Sequence, residues 1–193
     1  MNASINTKTL PAHLSKTLWL WLAVTIIFAA ITALTARITI PLPFTPVPIT
    51  LQTLAVVLSG LVLGARGGAL AQLFYLGLIA AGLPLDARGL GPAAFFSPTA
   101  GYLIGFVPAA FVAGWLAERL TARSWWGNFV AALAGMLVIY LLGAGWLAVM
   151  LGSWQKAWLG GVAPFILLDL GKAAIAAGVA ESGKHLFRTS MLQ

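Results

Sequence analysis

The chain has 193 residues, of which 61% are hydrophobic and only 8% are charged, and its mean hydropathy is +0.97. Soluble domains carry about 25% charged residues, so this composition excludes a soluble protein and indicates an integral membrane protein. The formal net charge of +7 arises mostly from basic residues near the ends of apolar segments, which indicates membrane topology rather than nucleic-acid binding. The chain contains no cysteine, which excludes disulfides and thiol chemistry.

Six apolar segments, separated by glycine, proline and charged residues, predict six transmembrane helices. The first segment is too long for a signal-peptide core, so we expect it to be retained. The second and third are short for a full crossing, which predicts tilt or partial embedding. The predicted helices cover about residues 17–36, 50–65, 69–82, 99–120, 128–151 and 159–183. We expect a single membrane domain over residues 1–193, with tails at about 1–16 and 184–193.

The distribution of lysine and arginine predicts the orientation of these helices. Basic residues concentrate on the cytoplasmic side of membrane proteins, and an arrangement with both termini inside gives seven on the inner side and three on the outer side. The inner residues are Lys8, Lys16, Arg66, Arg119, Arg123, Lys184 and Arg188, and the outer ones are Arg37, Arg88 and Lys156. Both irregular loops, 37–49 and 83–98, are then expected on the outer face, after helices one and three.

The first helix and the loop after it provide two signals. Ala29 and Ala33 form a small-xxx-small stripe that lets another helix approach closely, either within the chain or in another protein. Four prolines within residues 41–48 exclude a regular helix there. Just below this loop, Gln52 offers amide donors and an acceptor suited to a heterocyclic amide or urea, or to a neighbouring helix backbone. Gln72 and Tyr75, three apart on helix three, are weaker candidates of the same kind.

The loop at 83–98 is rich in glycine and proline, which fix backbone angles and predict a shaped loop. Arg88 is a candidate partner for a ligand carboxylate, and Phe95 or Phe96 is a candidate lid over an apolar ring. The alternatives are contact of Arg88 with lipid headgroups and an interfacial aromatic pair.

The sixth helix carries two charges, Asp169 and Lys172, in an otherwise apolar segment. Residues three apart lie on one helix face, and a charge at membrane depth costs at least a few kcal/mol. The pair is therefore either one wall of a polar ligand site or a structural ion pair between helices. Its expected position beneath two shaped outer loops favours the site.

Signals for catalysis are weak. The sequence has no metalloprotease, nucleophile-elbow or phosphate-loop motif, and its two histidines, His13 and His185, flank the membrane segments. We therefore expect no catalytic residues, no metal site and no cofactor.

Three motifs in order resemble one known family. They are residues 43–53 (PFTPVPITLQT), residues 81–84 (AGLP) followed by 96–106 (FSPTAGYLIGF), and residues 169–172 (DLGK). Together they resemble the BioY family, the biotin-specific substrate-binding (S) components of energy-coupling factor (ECF) vitamin transporters. Ala100 stands where a glycine is usual in that family.

The resemblance implies a six-helix protein of the cytoplasmic membrane that binds biotin from the outer side. It implies docking on a membrane T component with two cytoplasmic ATPases, with Ala29 and Ala33 in the docking stripe. The chemistry of biotin fits the candidate residues: Asp169 can accept from the ureido N–H groups and Gln52 can complement that polar edge. Lys172 can donate to the ureido oxygen or to the carboxylate, so the end of biotin that it meets stays open. Tyr102, within the second of these motifs, is a further candidate for substrate binding.

Two other functions are compatible with the same residues. One is an S component for a different vitamin. The other is an intramembrane enzyme that uses Asp169 and Lys172 as acid and base.

Overall fold

The computed structural model describes the backbone of residues 12–120 and 124–190, and the side chains of residues 19–120 and 124–183. Within these parts the chain is helical apart from its connections and one short ladder. The elements in chain order are α1 (Ala12–Arg37), β1 (Thr39–Ile40), β2 (Ile49–Thr50), α2 (Gln52–Ala80), a 3-10 helix (Gly91–Phe96), α3 (Ala100–Arg119), α4 (Trp125–Leu151), α5 (Trp154–Gly161) and α6 (Ile166–Ser190).

Helix α2 folds back on itself at Gly64 and forms a helical hairpin. Gly64 has φ 76°, in the left-handed region that glycine adopts without steric cost. In a straight helix Gln52 and Tyr75 would lie about 35 Å apart, at about 1.5 Å per residue, yet their side chains are hydrogen-bonded at 2.7 Å. The predicted pair of helices at 50–65 and 69–82 therefore exists, but the reversal occurs at Gly64 rather than at residues 66–68.

The two arms of the α2 hairpin pack at backbone distance. A Cβ on Gly68 would lie 2.6 Å from the Cα of Gly60, which leaves no room for a side chain at residue 68. The first backbone donor of the second arm, the N–H of Ala65, is capped by Glu118 from α3 at 2.9 Å. A glycine contact and a carboxylate cap thus fix the hairpin where the regular helical hydrogen bonds are interrupted.

The hairpin brings both irregular loops to one end of the bundle, which we call the loop end. The first loop is closed by an antiparallel ladder that pairs Thr39 with Thr50 and Ile40 with Ile49. The second loop contains the 3-10 helix, and its Pro84 carbonyl accepts a hydrogen bond from Arg37 at the end of α1. Both loops are shaped by specific contacts, as the glycine and proline content predicts.

The prediction of one continuous sixth helix at residues 159–183 is wrong. The structure divides it into α5 and α6, which are bent by 50° at residues 162–165. Pro164 explains the break, since proline lacks a backbone donor and restricts the residue before it. The N-terminus of α6 consequently begins inside the loop end.

The bundle core divides into two parts along its length. Helices α2, α3, α4 and α6 pack around a common axis, with α1 against α2 and α5 against α4. Away from the loop end the core is tight and rich in small residues, and α6 contributes Ala173, Ala176 and Ala180 to it. Nearer the loop end it consists of larger side chains, including Tyr75, Tyr102 and Phe106. The small residues let the helices pack closely in the part of the bundle away from the loop end.

An all-helical, multi-pass membrane fold is confirmed. Among the described residues, α1 to α4 are each long and apolar enough to cross a membrane, and the bent α5–α6 pair adds a fifth span if it counts as one. The prediction of six crossings counts the two arms of α2 separately, and each arm is shorter than the roughly 20 residues of a straight crossing. The number of six crossings therefore stays a prediction.

The cytoplasmic placement of both termini also stays a prediction. Of the predicted tails, residues 1–11 and 191–193 lie outside the described residues, whereas α1 already begins at Ala12 and α6 continues to Ser190. Among the basic residues behind the orientation, Lys8 and Arg123 lie outside the described residues, and the side chains of Lys16, Lys184 and Arg188 outside the described side chains.

Candidate ligand-binding site

A cavity lies at the loop end of the bundle, above the alanine-rich core. Its walls and mouth bound about 640 Å³ of space, part of which is open solvent. Its wall combines the two loops with α2, α3, α4, the α5–α6 break and α6. The polar lining residues include Gln52, Thr53, Asp86, Tyr102, Tyr140, Asp169 and Lys172.

Asp169 and Lys172 form a buried ion pair in this wall. The Nζ of Lys172 lies 2.6 Å from the Oδ1 of Asp169, and the two residues are 7% and 4% exposed. Asp169 lies in the first turn of α6, where the helix dipole favours a negative charge. The break at Pro164 therefore contributes to the site, because a new helix begins after it and Asp169 lies in the first turn of that helix.

Two hydroxyls complete the cluster around the ion pair. Thr53 on α2 accepts from the Nζ of Lys172 and donates to the Oδ1 of Asp169, both at 3.1 Å. Tyr140 on α4 donates to the Oδ2 of Asp169. The pair thus links α6 to α2 and α4, and it faces the cavity at the same time.

Counting donors and acceptors shows what the cluster leaves for a ligand. A carboxylate accepts about four hydrogen bonds and an ammonium donates three. Asp169 accepts three and Lys172 donates two within the described residues. One acceptor position on Asp169 and one N–H of Lys172 remain, and both residues line the cavity. The arrangement can therefore hold a group with an N–H next to a C=O.

The remaining wall is mostly apolar. Leu103 and Phe106 from α3, Ile139 from α4 and Phe165 from the α5–α6 break line it, and Val47 contributes from the first loop. The first loop is held over this wall by Thr45, whose hydroxyl donates to the carbonyl of Gly160 at 2.6 Å. An apolar interior with few placed polar groups is the usual composition of a small-molecule site.

Four of the predicted site residues come together here: Asp169, Lys172, Gln52 and Tyr102 all line the cavity. Gln52 is 3% exposed, and its Nε2 donates to the hydroxyl of Tyr75. Tyr102 donates to the carbonyl of Gly161 at 2.8 Å, so its hydroxyl holds the start of the α5–α6 break.

The structure does not bring the loop candidates Arg88, Phe95 and Phe96 to the cavity. Phe96 is 80% exposed and Arg88 is also exposed, and neither lines the wall. The loop turns inward at Asp86, whose carboxylate accepts from the backbone N–H groups of Arg88 and Gly91 at 3.0 and 2.8 Å. This turn places Asp86 and Ala87 in the wall and directs the Arg88 side chain away from it.

Ala29 and Ala33 pack within the chain. Ala29 is 1% exposed and belongs to the same core as Tyr75 and Phe106, while Ala33 is partly buried against that core. The stripe thus packs against the protein's own core, and docking of another protein on it stays a prediction.

Three residues of the site were not predicted: Thr53, Tyr140 and Asp86. Thr53 and Tyr140 meet Asp169 across 116 and 29 residues of sequence, so only the fold brings them together. Asp86 did carry a signal, since an aspartate followed by glycines in a loop is typical of a turn that bonds its own backbone.

The fold and the cavity define a membrane-embedded protein with a small-molecule site near one end of its helix bundle. The model of the BioY family matches residues 6–189, and the chain belongs to that family.

Curated relatives agree with this assignment, and a solved structure shares the fold. The chain is similar to the biotin transporter BioY of Rhizobium etli, at 46% identity over 166 residues that cover 81% of this chain and 88% of the relative. It is also similar to the biotin transporter BioY of Thermotoga maritima, at 42% identity over 83% of this chain and 93% of the relative. The crystal structure of the S component for biotin from an ECF-type ABC transporter has the same fold, with a TM-score of 0.81, 24% identity and coverage of 92% of this chain and 95% of that one.

Proposed function

We propose that this protein captures biotin in the cavity at the loop end and carries it across the cell membrane as the substrate-binding component of an ECF-type transporter. Family membership and the relatives' names support the substrate. The single observation that carries the binding mode is the Asp169–Lys172 pair, which is buried, fixed by Thr53 and Tyr140, and still offers one acceptor and one donor to the cavity.

The free positions of this pair match the ureido ring of biotin. A ring N–H lies beside the ring carbonyl, so the N–H donates to Asp169 while the carbonyl oxygen accepts from Lys172. The apolar wall formed by Phe106, Ile139 and Phe165 then packs against the thiophane ring and the valeryl chain. Asp169, Lys172 and Gln52 are assigned to the substrate directly, and Tyr102 to the shape of the wall.

The partners in this proposal are a membrane T component and two cytoplasmic ATPases. The chain itself has no nucleotide-binding motif, so any ATP hydrolysis belongs to other subunits. Uptake of labelled biotin into proteoliposomes, with and without such subunits, tests this assignment. The relatives are named as transporters, which gives no support to an enzymatic role for Asp169 and Lys172.

Calorimetry on the purified, detergent-solubilised chain tests the substrate. We expect biotin to bind one to one without any partner, and desthiobiotin, which retains the ureido ring, to bind as well. Thiamine should give no heat, because it lacks a cyclic urea. Absence of biotin binding to a folded chain, or tight binding of thiamine, would overturn the substrate assignment and leave the membrane fold intact.

Replacing Thr53 tests the hydroxyl that joins Lys172 to Asp169. Thr53→Val keeps the side-chain shape but removes both hydrogen bonds. We expect biotin to bind at least about tenfold more weakly, since a hydrogen bond to a charged group contributes about 1.5 kcal/mol or more. The dissociation constant from calorimetry measures the effect.

Thr53→Ser is the matched control, because it loses the methyl group and keeps the hydroxyl. Its affinity should stay within about threefold of wild type. Equal weakening in the two variants would assign the effect to packing instead of to the hydroxyl.

A further inference from the structure

Tyr75 lies behind the cavity wall and joins two parts of it. The side chain is fully buried on the second arm of the α2 hairpin and is absent from the lining. Its hydroxyl accepts from the Nε2 of Gln52 at 2.7 Å and lies 3.2 Å from the carbonyl oxygen of Leu85, in the second loop. Gln52 lines the cavity, and Leu85 directly precedes the lining residues Asp86 and Ala87. One hydroxyl therefore contacts both the helical wall and the loop wall.

The single proton of this hydroxyl determines the orientation of the Gln52 amide. A carbonyl oxygen can only accept, so the O–H of Tyr75 must donate to Leu85. The Tyr75 oxygen is then left as an acceptor, and the Gln52 group that meets it must be the donor, Nε2. With the amide reversed, two acceptors would compete for one proton, and one of the two hydrogen bonds would be lost.

The fixed orientation directs the other end of the amide to the ligand. Within the described part of the chain no group donates to the Oε1 of Gln52, and this oxygen is not sealed off, unlike the buried Oε1 of Gln72. It is therefore an open acceptor in the cavity wall, on the same helix as Thr53 and one residue away from it. A ligand with a second N–H can donate to it.

We propose that Tyr75 is a positioning residue that fixes Gln52 as an acceptor for a ligand N–H and ties the second loop to the same wall. This inference rests on the proposed function, since it assigns the second N–H of a cyclic urea to Gln52. Asp169 and the Oε1 of Gln52 then accept the two ring N–H groups. Because both acceptors contact only the ureido ring, they should not distinguish biotin from desthiobiotin.

Tyr75→Phe tests the proposal because it removes the hydroxyl and keeps the ring, which stacks on Phe106 with centroids 6.4 Å apart. We expect biotin and desthiobiotin to bind about five- to tenfold more weakly, by the same factor, because both retain the ureido ring. In a Gln52→Met background, where the amide is already absent, adding Tyr75→Phe should change the dissociation constant by less than about twofold. A general loss of structure would instead weaken binding in both backgrounds.

Thr32→Val is the matched control. Thr32 is also fully buried, and its hydroxyl contacts the same hairpin through Gln72 at 3.2 Å, away from the cavity lining. Its biotin affinity should remain within about twofold of wild type. Thermal unfolding of each ligand-free variant verifies that it is folded.

The outcomes separate this inference from the proposed function. The positioning role would be overturned if Tyr75→Phe kept wild-type affinity. It would also be overturned if Tyr75→Phe caused the same loss in the Gln52→Met background. In either case, binding of biotin by the wild-type chain would still support the proposed function. No binding of biotin by the folded wild-type chain would overturn the function, and the Gln52 assignment with it.

Discussion

Asp169→Asn is expected to weaken biotin binding by at least about tenfold, or roughly 1.4 kcal/mol. The carboxylate accepts hydrogen bonds from Lys172, Thr53 and Tyr140, and an amide cannot replace it. The amide nitrogen that replaces one carboxylate oxygen is a donor, and it faces other donors. The charge of Lys172 is left buried without a counter-ion. The acceptor offered to the ligand is lost as well. Calorimetry with biotin measures the affinity, and thermal unfolding measures the stability.

Glu181→Gln is the control for this change. It makes the same carboxylate-to-amide substitution on α6, at a half-buried residue that does not line the cavity. Its affinity for biotin should stay within about twofold of wild type. Wild-type affinity in a folded Asp169→Asn variant would remove Asp169 from the binding site.

The ion pair could be predicted from the sequence because its two members are close in the chain. Asp169 and Lys172 are the only charges in the apolar segment between Lys156 and Glu181, and a spacing of three places them on one helix face. Gln52 was predictable for a similar reason, since an amide at the start of an apolar helix stands out. Local spacing and the cost of burying polar groups were sufficient for these three residues.

The partners of the pair were not predictable in this way. Thr53 and Tyr140 are ordinary residues of membrane helices, and a threonine more often bonds its own helix backbone, as Thr32 does with the carbonyl of Phe28. Their role depends on the rotation of α2 and α4 about their axes relative to α6. Without distance information, the sequence does not define those rotations.

The loop candidates show a second limit. Arg88 and Phe96 had suitable chemistry, yet the bonds from Arg88 and Gly91 to the Asp86 carboxylate turn the loop so that Asp86 faces the cavity. Which residues of a loop face inward depends on a few hydrogen bonds from the backbone. Hydrophobic periodicity therefore does not predict them. The reversal in α2 was similarly misplaced by a few residues, because Gly64, Gly67 and Gly68 are all capable of it and only packing against Gly60 and Glu118 selects the first.

Lys172→Met should lower the thermal stability of the ligand-free protein and weaken biotin binding by at least about tenfold. The methionine fills similar space, so packing around α6 is preserved while the cation is lost. Asp169 keeps its contacts with Thr53 and Tyr140 but no longer faces a positive charge. Removing one member of a buried pair typically costs about 3–5 kcal/mol, so the unfolding temperature in detergent should fall clearly.

The double variant Asp169→Asn with Lys172→Met distinguishes a structural pair from a binding site. It removes both buried charges together, so part of the stability lost in each single variant should return, since no uncompensated charge remains. Binding should not return, because the acceptor for the ligand N–H and the donor for its carbonyl are both absent. Recovered stability with biotin still at least about tenfold weaker than wild type assigns the pair to the ligand. Recovery of wild-type affinity would make Asp169 and Lys172 a structural link between α6, α2 and α4, and the substrate would have to be held by the loops and the apolar wall.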